Sequence, residues 1–151
     1  MRTKKTKVIA INAALAALYI ALTLCSPLSF GIINFRLADA VQVIACVDKR
    51  TRKGISAGMI TANLFSPFGV CDALAAVVIC AVTFGAGWSI RSEKARVWLL
   101  ILATSLIVGV EISVLEGVSF WLITGGMFLS ETFLCWGGYF VIKKMQLLRV
   151  I

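Results

Sequence analysis

Five carboxylates and one arginine stand where a chain this apolar would ordinarily place none. Asp39, Asp72, Glu111, Glu116 and Glu131, with Arg36, lie inside long hydrophobic runs or at their ends. Ionisable groups in hydrocarbon are expensive, and where they persist they mark binding sites, proton relays or ion pairs. Glu131 lies about 16 Å from the outer end of its run at 1.5 Å per residue, near the middle of a roughly 30 Å apolar layer. A carboxylate at that depth points to a ligand or a polar pocket, with a structural ion pair as the alternative. Glu111, about one turn from the end of its run, reads the same way. Asp72 opens a run, where it can also serve as a simple cap on the positive end of a helix dipole. Glu116 reads as solvated in a loop. Arg36 and Asp39, three residues apart, share a helix face; they form a structural pair, or Arg36 offsets part of the negative charge.

These groups gather around a ten-residue break, Asn63-Leu64-Phe65-Ser66-Pro67-Phe68-Gly69-Val70-Cys71-Asp72, between two apolar runs. Asn63 can both donate and accept hydrogen bonds, which suits the edge of a polar ring. Phe68 and Phe65, with Phe30, Phe35 and Trp121, fall near the same ends and could stack on a flat ligand, although an interfacial aromatic belt is the ordinary reading. A net-negative pocket of this kind favours a cationic or donor-rich ligand.

The elements that must position these groups are membrane helices. Hydrophobic residues make up 60% of the chain, charged residues only 15%, and the mean hydropathy is +0.98; soluble domains have about 25% charged residues. Six segments are predicted, at about 8–25, 34–47, 54–65, 70–90, 97–115 and 120–142, forming one integral-membrane domain over 1–151. The net charge of +8 does not point to nucleic acid, because 14 of the 15 basic residues fall in four short clusters between apolar runs. These are Arg2, Lys4, Lys5 and Lys7; Lys49, Arg50, Arg52 and Lys53; Arg91, Lys94 and Arg96; and Lys143, Lys144 and Arg149. The positive-inside rule puts all four on the cytoplasmic side, which an even number of spans with both termini inside satisfies.

Enzymatic chemistry finds little support. The chain has no histidine, and its five cysteines (Cys25, Cys46, Cys71, Cys80, Cys135) lack the paired spacing of a metal or redox site. No G-x-x-x-x-G-K-[ST] phosphate loop is present. Neither a cofactor nor a metal is expected, and the cysteines read as small apolar fillers. The basic start before an apolar run mimics a signal peptide, but Leu24 is bulky where processing needs a small residue, so a retained first helix is expected. No inverted repeat is evident, which counts against a self-sufficient secondary transporter. Along the first segment, Ala10 with Ala14, and Ala13 with Ala17 and Ala21, form four-residue ladders that let another helix approach closely. They serve packing within this chain or docking of a partner.

Phe35-Arg36-Leu37-Ala38-Asp39-Ala40, the 63–72 break, Leu106-Ile107-Val108-Gly109-Val110-Glu111 and Glu131 resemble signature stretches of the QueT family, over about residues 13–144. The resemblance implies a six-helix substrate-binding (S) component of an energy-coupling factor transporter. Such a component captures a queuosine precursor, a 7-deazaguanine base, and works with a transmembrane T component and two cytoplasmic ATPases. It also implies that Asn63, Glu131, Glu111, Asp72, Arg36, Asp39 and Phe68 line a substrate site, and that the alanine ladders dock on the T component. The chain departs from the family pattern at Asp39 (more often glutamate), Thr104 (usually asparagine), Ser130 (glycine) and Ala76 (glycine). An S component for another small nutrient, a proton-coupled exporter using Glu131, and a purely structural membrane subunit are the alternatives.

Overall fold

In the computed structural model the described residues are 2–25 and 36–147, with side chains from residue 5 onward. The expectations for Phe30, Phe35, the end of the first segment at Ser26-Pro27, the start of the second at Asn34, and Arg149 lie outside them. Among the described residues the protein is all-helical, without strands.

Helix α1 (Arg2–Cys25) is followed by two short helices, α2 (Ala38–Gln42) and α3 (Ile44–Val47), where one helix is predicted. The interruption is local. Val43 keeps helical angles, but Cys46 N–H bonds to Val43 O at 2.9 Å, a tightened three-residue turn. After a 3₁₀ turn at Lys49–Thr51 come α4 (Arg52–Asn63), the break, and α5 (Val70–Cys80). The path of α5 continues through a π-helical turn, Ala81–Gly85, and a 3₁₀ turn, Ala86–Ser89. Thr83 Oγ1 donates back to Ile79 O at 2.6 Å, a side-chain bond of the type that bends helices. Then follow α6 (Glu93–Glu116) and α7 (Phe120–Leu147). The predicted start of α6 falls four residues late because Ser92 caps it, accepting from Ala95 N–H at 3.4 Å.

Lys5–Cys25, Val70–Ser89 and Glu93–Glu116 are long and apolar enough to cross a membrane. Helix α7 has 28 residues, about 42 Å, but Glu131 and four glycines dilute its apolar character. Helix α4, at 12 residues, is about 18 Å long and short of a full span. Large apolar side chains stand exposed along these helices, including Ile9, Leu74, Val114, Leu129, Phe133 and Phe140. That is the surface a hydrocarbon environment requires.

Helix α1 packs on α4, and α6 on α7. The α1–α4 seam is tight at Gly54, where any side chain would meet the backbone of Asn12. Gly54 N–H donates to Asn12 Oδ1 at 2.6 Å, and Asn12 Nδ2 donates to Arg50 O at 2.8 Å. The basic clusters converge on this same end of the bundle. Arg96, buried on α6, donates from Nε to Cys46 O at 2.7 Å and from Nη1 to Ile90 O at 2.7 Å, with its guanidinium 4.2 Å from the Trp88 ring. Arg52 lies over the same ring at 4.9 Å and donates to Phe84 O. Lys143 on α7 pairs with Glu93 on α6. The opposite end of α4, α5 and α6 carries the break and the acids.

Candidate functional site

Helix α4 ends at Asn63 and α5 starts after the turn at Gly69, whose φ of 50° is left-handed. That geometry admits glycine at little cost. The chain therefore turns back within six residues, and Asn63 and Asp72 end up beside one cavity. Asn63 Oδ1 accepts from Arg36 Nη1 at 2.7 Å, and its Nδ2 donates to Met59 O at 3.0 Å. Asn63 thus holds Arg36 in place and keeps one amide N–H uncommitted.

Asp39 from α2 and Glu131 from α7 are both buried and line one cavity. Tyr19 Oη donates to Asp39 Oδ1 at 3.1 Å, and Cys135 Sγ donates to Glu131 Oε2 at 3.3 Å. Glu111 from α6 and Asp72 from α5 line the same cavity. Asp72 sits in the first turn of α5 without a side-chain capping bond. Glu116 is exposed and borders the cavity.

All five acids face one cavity of about 70 Å³, with Arg36 the one cation among its lining residues. Each of Asn63, Glu131, Glu111, Asp72, Arg36, Asp39 and Phe68 contributes to that lining. Phe68 is half buried there, whereas Phe65 and Trp121 are 66% and 80% exposed and face away from the bundle. Of the departures from the family pattern, Asp39, Ala76 and Thr104 line the cavity. Ser130 does not, and its hydroxyl is bonded to Met127 O at 3.1 Å.

The sequence reading missed Tyr19 and Gln42. Asn12, Tyr19 and Thr23 mark the inward face of α1, a polar stripe opposite the alanines, and that spacing could have identified Tyr19. Gln42 continues Arg36 and Asp39 at three-residue steps, which could have identified it. Ala10, Ala13, Ala14, Ala17 and Ala21 are all exposed, so the ladders do not pack within the described chain. Ala13 also borders a wide groove of about 1,330 Å³ between α1, α4 and the end of α5, rimmed by Lys5, Lys49, Arg50, Arg52 and Lys53.

No curated protein and no solved structure matches the chain. The profile of the QueT transporter family matches residues 9–147, nearly the whole length. A family match of this extent, on a multi-pass helical chain with a polar cavity between its apolar helices, settles the affiliation: the chain belongs to the QueT transporter family, that of queuosine-precursor S components.

Proposed function

We propose that this protein captures a 7-deazaguanine base from outside the cell and passes it to an energy-coupling factor module of one T component and two ATPases. In this reading it crosses the membrane six times, both termini and the four basic clusters lie in the cytoplasm, and the protein performs no catalysis of its own. The observation that carries the proposal is the convergence of five acids, one arginine and a half-buried phenylalanine on one cavity, at the end of the bundle opposite the basic clusters. Carboxylates that accept from ring nitrogens or from a protonated aminomethyl arm make charge-assisted bonds, the strong kind in a dry site. Phe68 offers a face for stacking.

At about 70 Å³ the cavity is below the roughly 300–1,000 Å³ of ordinary ligand pockets. A fused-ring base therefore enters by displacing side chains, and Phe68 on the break is the one placed to move. The exposed alanine ladders and the basic-rimmed groove supply close-packing and cationic surface for the T component and its ATPases. Equilibrium dialysis with deazaguanine bases tests the reading. Binding by wild type, with a loss of 100-fold or more in a Glu111→Gln/Glu131→Gln double variant, supports it; this is the scale expected when two charge-assisted bonds are removed. A well-folded wild type that binds no such base would refute it, as would uptake that persists without the ATPases.

A further inference from the structure

Among the described residues, three side chains that line the cavity carry buried polar atoms without a hydrogen-bond partner: Gln42, Thr104 and, at one carboxyl oxygen, Glu111. Gln42 on α2 is 0% exposed, and both its amide oxygen and its amide nitrogen are unpartnered; Thr104 on α6 is 6% exposed, and its hydroxyl is unpartnered too. Both line the cavity beside Asp39 and Glu131. Buried polar groups are paired in the great majority of cases, and one left unpaired costs stability. A carboxamide kept at this cost, facing a cavity, has the chemistry of a recognition element.

The lining groups narrow what it recognises. Ionised carboxylates only accept, and the guanidinium of Arg36 only donates. Tyr19 and Thr104 carry hydroxyls, which address one point each. Beside ionised carboxylates, a carboxamide presents a donor and an acceptor side by side in one plane, and the cavity has two. Asn63 is engaged at its oxygen by Arg36 and at one N–H by Met59, which leaves Gln42 as the carboxamide unpartnered at both ends. Resting on the substrate class proposed above, we infer that Gln42 is a specificity-determining residue that makes a paired, two-point contact with an amide-type edge of the ligand ring, an N–H beside a C=O. Thr104 supports this contact from α6. A 7-deazaguanine ring carries such an edge at its six-membered ring lactam.

The test pairs two ligands with two variants. The ligands are 7-aminomethyl-7-deazaguanine and its 6-deoxo analogue, which lacks the carbonyl oxygen and the adjacent N–H. Wild type should bind the lactam about 10–100-fold more tightly than the analogue, the discrimination expected when a site built to hydrogen-bond loses its partner. Gln42→Leu should weaken lactam binding by a similar factor and leave analogue binding near the wild-type value, erasing the preference. Gln42→Glu keeps the length and can still accept from the ring N–H but, when ionised, cannot donate to the C=O, so it should keep at most part of the preference. Without ligand, Gln42→Leu should melt no lower than wild type, because an unpaired amide has been replaced by an apolar group of similar length. A lower melting temperature in both variants would make Gln42 structural and overturn the inference. So would folded variants that keep the full preference, with the transport reading intact. Wild type that binds neither base would instead refute the transport reading, and this inference with it.

Discussion

Alanine at Gly54 should separate α1 from α4, and the size of the effect follows from the seam. A Cβ there would lie 2.6 Å from Asn12 Cα and 2.8 Å from its carbonyl carbon. These are backbone atoms, which cannot swing aside as a side chain can. Restoring ordinary contact near 3.5 Å moves α1 by about 1 Å. That shift stretches the 2.6 Å bond from Gly54 N–H to Asn12 Oδ1 and disturbs the 2.8 Å bond from Asn12 to Arg50 O. Two lost hydrogen bonds cost about 0.5–1.5 kcal/mol each, and overpacking adds about 1–3 kcal/mol. The helix preference for alanine over glycine returns about 1 kcal/mol. The net loss is about 1–5 kcal/mol, or roughly 2–20 °C in melting temperature at about 2–4 °C per kcal/mol. A thiol-reactive dye reads this directly in detergent, since Cys46, Cys80 and Cys135 are buried and report unfolding, while Cys25 and Cys71 are exposed from the start. Gly125→Ala is the control, for its Cβ would meet nothing within 4 Å, and it should melt at or slightly above wild type. A Gly54→Ala protein as stable as wild type, or a Gly125→Ala protein that falls as far, would refute the reasoning.

Further outcomes follow from the same geometry. Tyr19→Phe removes the donor to Asp39 inside the bundle; it should cost about 1–2 kcal/mol of stability, measurable by the same dye assay. Ala13→Leu with Ala17→Leu adds bulk on an exposed face. The isolated protein should melt unchanged, while co-purification with a T component is lost; retained co-purification would remove the ladders from the docking surface. Glu93→Gln breaks a half-exposed ion pair with Lys143 and should change stability by less than about 1 kcal/mol in the dye assay.

Much of this arrangement is legible in the chain before any coordinates are known. The acids stand out because hydrocarbon makes them costly, and the break between Asn63 and Asp72 stands out because proline and glycine interrupt two apolar runs. What spacing does not reveal is the state of each group. Asn63 looks like a ligand contact in sequence, yet its oxygen is taken by Arg36, a residue 27 positions away. Gln42 shares the three-residue step of Arg36 and Asp39, but only its burial without partners reveals its state. The break between α2 and α3 and the changed winding after Cys80 also escape a periodicity reading, because both depend on one or two hydrogen bonds with little compositional trace. The outward face of the alanine ladders could not be chosen from spacing alone, since four-residue steps fit internal and external packing equally well.

The cluster of Arg52, Arg96 and Trp88 has a consequence for how the chain is made as well as how it is held. In the topology proposed above, these arginines are hydrated cations during insertion, and under the positive-inside rule each helps to keep its loop from crossing. Once the bundle forms, the same guanidiniums are drawn onto an indole face and onto the carbonyls of Cys46, Phe84 and Ile90. One set of side chains therefore acts twice in succession, first as a topological signal and then as a clasp. Lysine would satisfy the first task but lacks the planar fork needed for the second. Biogenesis and stability draw on different parts of one arginine: its charge for the first, its shape for the second.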